Sequence, residues 1–386
     1  MRARGWVRAV LLCLLLWTGC ARGEGDARCL LVGCDRFLTM PSTSPASANN
    51  VAVMEALLKD FLPGGVFITP AGEGVPSAEA LACRMQEAFR GADEQDVCLL
   101  YLSTHGVRSR DAEEGTALLL SDGAEEEALS PGVLLEMLNR FPGRRILMVD
   151  ACFSGGLTET AAKAAEGCRS EDGPEILVSC GAEEDSWFWN AETEEVAGTG
   201  YFTAALNNAL RASDPEQIDP DGDGWVTLQE ATGRLRAMHG ASTAACFPQT
   251  GEPLFRLPED RKAGSLLRAV AFGNTEAEGD MLTLPISFRA EEPVRLIYLL
   301  VPSRGGRWDF EHAVRLPDRE KTGLVRGLLS PGEKTRSIRL NRNSLGEDGR
   351  ALLQIISLQG TEAAPWAEAG RMIENHPDGK EKTAAE

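Results

Sequence analysis

Basic residues are scarce in this 386-residue chain: 39 Lys and Arg stand against 58 Asp and Glu, a formal charge of −19. That balance argues against nucleic acid and against anionic membrane surfaces as partners, and it suits cations and basic peptides as well as plain solubility. No Cys-x-x-Cys spacing occurs, so a structural zinc site is not expected. The N-terminal apolar run, Val10 to Trp17, is too short to cross a bilayer as a stable helix. Preceded by Arg2, Arg4 and Arg8, it reads instead as a secretion signal over residues 1–23, and no transmembrane span is expected once it is removed. Cleavage after Ala21-Arg22-Gly23 fits the small-x-small rule, while Thr18-Gly19-Cys20 also resembles a bacterial lipobox, which would make Cys20 a lipid anchor. Either route predicts an exported protein: periplasmic, secreted or anchored at the cell envelope.

What the chain does have is two short, continuous apolar runs that end on reactive side chains. Val97-Cys98-Leu99-Leu100-Tyr101-Leu102-Ser103 leads to Thr104-His105-Gly106, and Arg145-Ile146-Leu147-Met148-Val149-Asp150 leads to Ala151-Cys152-Phe153-Ser154-Gly155-Gly156. Runs of this kind read as strands buried on both faces of a parallel sheet. In an open α/β sheet the site lies outside the carboxyl ends of the strands, so His105 and Cys152 are placed to meet. A thiol attacks as thiolate, and a nearby imidazole takes its proton or returns it to the leaving amine. The N–H groups of Gly106 and Cys152 could face a developing oxyanion. The pair therefore predicts acyl transfer with Cys152 as nucleophile and His105 as acid and base.

Length and a 43% hydrophobic content allow two domains. A doubly wound α/β domain is expected, with strands at 28–33 and 65–69, helices at Asn49–Leu62, Ser77–Phe89 and Pro131–Phe141, and a charged excursion from Val107 to Leu120. The acidic, glycine-rich stretch Thr158–Glu175 reads as a loop, and Pro253–Leu257 as a sixth strand. Beyond it, alternating runs at 266–272, 281–288, 294–301, 335–340 and 351–358 predict a small antiparallel sandwich over 262–360 with no catalytic constellation of its own. Residues 361–386 read as a polar, disordered tail. Past the signal the cysteines are Cys29, Cys34, Cys83, Cys98, Cys152, Cys168, Cys180 and Cys246, and a nucleophilic Cys152 leaves at least one of the others unpaired. Cys29, Cys98 and Cys180 fall in predicted strands as buried free thiols.

Ser103-Thr104-His105-Gly106 with Asp150-Ala151-Cys152-Phe153-Ser154-Gly155-Gly156 resembles the His-Gly and Asp-x-Cys-x-Ser-Gly pair of the caspase-like cysteine peptidases, nearest to metacaspase-type and bacterial caspase-domain members. Further on, Ile176-Leu177-Val178-Ser179-Cys180-Gly181 followed by Ser186-Trp187 resembles the family's fifth strand and pocket loop, and Gly200-Tyr201-Phe202-Thr203 its Gly-x-Phe-Thr helix start. The resemblance covers about residues 27–258 and departs from metacaspases at Thr104, at Phe153 and in the loop Ala182-Glu183-Glu184-Asp185. It implies a caspase-like doubly wound sheet with helices on both faces, peptide or protein substrates, and a cysteine-type endopeptidase without an organic cofactor. It also implies that Asp150 lines a pocket for Arg or Lys at P1 and that Ser179 belongs to the substrate-binding loop. Glu183, Glu184 and Asp185 would add negative potential there, unless the loop is simply a solvated one. The alternative is an inactive caspase-like module that binds peptides or protein partners.

One motif lies outside this set. Asp219-Pro220-Asp221-Gly222-Asp223-Gly224-Trp225-Val226-Thr227-Leu228-Gln229-Glu230 follows the EF-hand calcium loop without a mismatch. Carboxylates come from Asp219, Asp221, Asp223 and Glu230, a carbonyl from Trp225 and a hydroxyl from Thr227. A single loop with no partner hand predicts a calcium brace between two helices, structural or regulatory.

Overall fold

The computed structural model describes residues 25–374 apart from 72–73, 109–114, 168–172, 189–199, 212–217, 238–241, 250–251, 259–266, 291–293, 306, 310–311, 317–318, 321–322, 325–328 and 359–365. The signal segment, Cys20 and Cys168 lie outside the described residues. In chain order the first region runs β1 (Ala27–Gly33), α1 (Ala46–Phe61), β2 (Val66–Pro70), α2 (Ala78–Ala88), β3 (Val97–Ser103), β4 (Gly106–Arg108), β5 (Thr116–Ser121), β6 (Glu126–Leu129), α3 (Pro131–Leu138), β7 (Arg144–Asp150), α4 (Gly155–Gly167), β8 (Glu175–Val178), α5 (Tyr201–Arg211), β9 (Trp225–Thr227), α6 (Leu228–Ala237), β10 (Ala245–Phe247) and β11 (Pro253–Arg256).

Six strands form one sheet in the order β10-β8-β7-β3-β1-β2. All neighbours are parallel except β10 against β8. The continuous apolar runs divide strictly by parity. Cys29, Leu31, Leu99, Tyr101, Ile146, Met148 and Leu177 pack with Met54, Leu57 and Phe61 of α1, Phe202 and Leu206 of α5 and Leu235 of α6. Leu30, Val32, Leu100, Leu102, Leu147, Val149 and Ile176 pack with Leu81 and Met85 of α2, Leu134 and Leu138 of α3 and Leu157 of α4. A strand covered on both faces can be apolar at every position, which is why these runs lack alternation. Cys29, Cys98 and Cys180 are buried free thiols, as expected, although Cys180 stands just past the end of β8 and not in a strand, and burial pushes the first two up to about 12 and about 11.

Four expectations are corrected. The loop expected over Thr158–Glu175 is helical as far as Gly167, in α4. Its Thr-Glu-Thr-Ala-Ala-Lys-Ala-Ala-Glu core carries strong intrinsic helix formers, but alanines make a weak apolar stripe. Pro253–Arg256 is a strand outside the main sheet; it pairs with β9, and the sixth position belongs to β10. The charged excursion after His105 is a three-stranded antiparallel sheet, β4-β5-β6. In the supposed tail, Trp366–Glu374 is a strand antiparallel to Arg350–Leu358, and residues 375–386 lie outside the described residues.

The C-terminal region is the expected sandwich. One sheet centres on Met281–Ala290 and Gly332–Asn341, the other on Arg295–Arg304 and Arg350–Leu358. Their inner faces share one core, with Leu284, Ile286, Phe288 and Ile338 from the first meeting Tyr298, Leu300, Leu353 and Ile355 from the second. The alternating burial of Met281–Ala290 is that of a strand with one face to the core.

Candidate active site

β3 and β7 are parallel neighbours in register, Ser103 opposite Asp150. His105 and Cys152 each stand two residues beyond that pair, so the register alone sets them side by side. They line one cleft with Thr43, Asn50, Ser103, Asp150, Ser186 and Gly200. Gly106 explains itself sterically: a Cβ there would stand 1.7 Å from the Cys152 carbonyl oxygen. Gly106→Ala is expected to force the two strand ends apart and to lower turnover by about a hundredfold, the scale of a misplacement of about 1 Å; steady-state kinetics on folded variant checks this.

The His105 ring is fixed on two sides. Its Nε2 lies 2.9 Å from the Pro41 carbonyl oxygen, and its face meets the Phe37 ring with centroids 4.6 Å apart. A carbonyl only accepts, so Nε2 donates to it, and the tautomer this contact selects has Nδ1 as its acceptor. The Phe37–Pro41 loop is itself held by Glu126 of β6, which accepts the Leu38 N–H at 2.7 Å and the Thr39 hydroxyl.

Cys152 begins the turn after β7. Its thiol donates to the Ser186 carbonyl at 3.5 Å. Phe153 holds a left-handed backbone, φ 58°, which a side chain adopts only when the surroundings enforce it. Its N–H donates to the Glu184 carbonyl at 2.8 Å, and the Arg108 guanidinium lies over its ring, 4.8 Å from the centroid. Burial pushes the Cys152 thiol up to about 12, and the nearby Asp185 and Asp150 charges add to it. Below that value the resting thiol keeps its proton. Alkylation of Cys152 by iodoacetamide is therefore expected to be slow at about pH 7 and to rise roughly tenfold per unit to about pH 10 without a plateau; peptide mapping by mass spectrometry reads the rate.

Asp150 is buried, 6% exposed. Its Oδ1 accepts from the Ser186 hydroxyl at 2.8 Å, and its Oδ2 from the Thr203 hydroxyl at 2.7 Å and the Asn50 amide at 3.2 Å. Asn50 also donates to the Ser103 hydroxyl at 3.0 Å and accepts the Gly200 N–H at 2.6 Å. A Cβ on Gly200 would stand 2.3 Å from Asp150 Oδ2. All three donors are neutral, and among the described residues no cation pairs with this carboxylate. Burial raises its pKa, against the lowering effect of the Thr203 and Ser186 hydroxyls.

The other sequence candidates divide. Ser179 is buried beneath the turn that carries Cys152, its hydroxyl bonded to the Ala151 N–H and carbonyl, each at 3.2 Å, so it supports the turn and does not line the cleft. Glu183 is exposed and ion-paired with Arg108 at 2.8 Å. Asp219, Asp221 and Asp223 bring one carboxylate oxygen each within 4.8 Å of one another. Glu230 stands apart from them: its Oε2 accepts from the Thr227 N–H and hydroxyl, each at 2.9 Å, while the Glu230 N–H returns to Thr227 Oγ1 at 3.1 Å. Trp225, the seventh position of the loop, lies in β9, and that strand pairs with β11, where a second hand would have paired.

Sequence reasoning missed Pro41 and Asn50 and gave no role to Ser186 or Thr203. Pro41 acts through a carbonyl that every residue possesses, and Asn50 sits on a helix remote in sequence. Ser186 and Thr203 fall inside recognised stretches, the pocket loop and the Gly-x-Phe-Thr start, and those stretches were the available signal.

The fold and cleft define an α/β protein whose Cys and His close two adjacent parallel strands. The family model of the caspase domain matches residues 26–233, more than half of the chain, and the protein belongs to that family of cysteine peptidases. Among solved structures, the protein GSU0716 of Geobacter sulfurreducens is 16% identical, with 60% of this chain and 98% of its own covered and a TM-score of 0.39. OgpA of Akkermansia muciniphila is 11% identical, with 92% and 94% covered and a TM-score of 0.23. No curated protein matches the chain in sequence.

Proposed function

We propose that the protein is an exported cysteine endopeptidase that cleaves after Arg or Lys through Cys152 and His105. The observation that carries the reading is a buried carboxylate that meets no cation among the described residues, Asp150, two residues before Cys152 and in the same cleft as a histidine whose Nε2 faces a backbone carbonyl. A P1 guanidinium reaching Asp150 supplies the missing charge and can engage it through its fork. The scissile carbonyl then lies beside Cys152. The thiol proton passes to His105 Nδ1 as sulfur attacks, the oxyanion takes the Gly106 and Cys152 N–H groups, and the imidazolium returns the proton to the leaving amine. Water attacks the acyl-thioester with His105 again as base. The Pro41 carbonyl accepts the Nε2–H throughout, so the ring returns to the same tautomer each time it gives up the Nδ1 proton. Fluorogenic peptides ending in Arg, Lys or Asp test the reading: cleavage after Arg and Lys is expected, and cleavage confined to Asp or neutral residues contradicts the pocket assignment.

The 219–230 loop extends the proposal to calcium. Three clustered carboxylates suit a hard, oxygen-seeking cation, Trp225 can add its carbonyl, and Thr227 and Glu230 would join on leaving their mutual hydrogen bonds. Calcium there supplies charge neutralisation and a brace at the start of α6, with no part in the chemical step. At tenfold excess over its Kd, calcium is expected to raise stability by about 1.4 kcal/mol. Calorimetry with calcium and with chelator reads the shift in Tm, which Asp221→Asn should abolish.

A further inference from the structure

We propose that Glu184 is a positioning residue for the nucleophile, clamping with Thr243 the segment that holds the Cys152 turn. Its effect on turnover rests on the peptidase reading; its effect on the thiol does not. The Glu184 carboxylate takes the Gly181 N–H at 3.0 Å and the Thr243 N–H at 2.9 Å on Oε2, and the Thr243 hydroxyl at 3.0 Å on Oε1. Its backbone carbonyl takes the Phe153 N–H at 2.8 Å and the Cys180 thiol at 3.2 Å. Two residues on, Ser186 accepts from the Cys152 thiol and donates to Asp150. One short segment therefore holds the nucleophile, the residue after it and the pocket carboxylate.

What fixes that segment is the Glu184 side chain. Thr243 comes from a distant part of the chain, and its neighbour Ser242 is anchored on the end of β8 by a hydroxyl bond to the Ser179 carbonyl at 2.8 Å. Of the three consecutive acids, Glu183 and Asp185 are exposed, whereas Glu184 is turned inward and half-buried. The left-handed Phe153 backbone, φ 58°, is the conformation this clamp has to enforce. Without it the turn can relax toward an ordinary φ, carrying the sulfur away from its attack position and opening it to solvent.

The two consequences have opposite signs, which separates positioning from general damage. Glu184→Ala is expected to lower kcat by about 10- to 100-fold with KM within about twofold, while iodoacetamide labels Cys152 several-fold faster than in the wild type. Glu184→Gln keeps an acceptor for both backbone N–H groups and is expected to restore most of both values. If Glu184→Ala does not fold, Thr243→Ala removes one of the three bonds and is expected to move both readouts the same way by less. Values of kcat and alkylation rate within twofold of wild type in the folded variant overturn the proposal, as does a Gln variant no better than Ala in both. A wild type that cleaves none of the peptides removes the peptidase reading, and the alkylation rates then decide the clamp alone.

Discussion

Cys152→Ala is expected to lower peptide cleavage by about 10⁴-fold or more while leaving the fold intact. The magnitude is that of removing the nucleophile from an acyl-transfer unit, where loss of one member costs nearly as much as loss of all. The side chain makes a single long hydrogen bond, to the Ser186 carbonyl at 3.5 Å, and otherwise behaves as a small hydrophobe, so stability changes by about 1 kcal/mol or less. Two measurements separate the effects: kcat/KM on a peptide ending in Arg, and Tm. A variant that unfolds says nothing about chemistry, and one that keeps full activity removes Cys152 from it.

Asp150→Asn is expected to reduce kcat/KM for Arg and Lys peptides roughly a hundredfold, about 3 kcal/mol, as a desolvated ion pair loses one partner. Asn keeps the shape of the side chain, and the Ser186 and Thr203 hydroxyls can reorient to its amide, so the loops around it stay in place. Stability moves the other way. Burial raises the Asp150 pKa in the folded chain, so folding retains its proton over a range where the unfolded chain has lost it. As pH rises through that range the wild type loses stability that the Asn variant keeps. Denaturant midpoints of the two proteins, followed from acid to neutral pH, should therefore diverge with the variant above.

The parts of this arrangement that were legible in the sequence are those written by local runs. β3 and β7 announce themselves by unbroken apolar stretches, and a shared parallel sheet then places His105 and Cys152 together. α2 was legible to within a residue because Ser77 caps it from next door, accepting the Ala80 N–H at 3.2 Å. α1 starts three residues before its expected start because its cap is remote: Asp35 takes the N–H groups of Ser47 and Ala48, at 2.8 and 2.9 Å. The edge strand β10 depends on β8, a partner far back along the chain, which no local pattern reveals. The same holds for the site. Asp150 was visible by its place before Cys152, whereas its contacts to Asn50 and Thr203 span 100 and 53 residues. Glu184 looked like one acid among three until its bonds to Thr243 set it apart.

The central claim is that Cys152 attacks a substrate whose basic side chain sits on Asp150, and a peptidyl chloromethyl ketone ending in arginine tests it most directly. The resting thiol holds its proton and is expected to react slowly with iodoacetamide, but a ligand anchored at Asp150 would set its electrophile beside the sulfur with His105 at hand. The prediction is one adduct per chain, on Cys152 by peptide mapping, formed in step with loss of peptide cleavage and much faster than with the corresponding neutral ketone. Cleavage that survives full labelling of Cys152, or inactivation with the adduct on another residue, would contradict it.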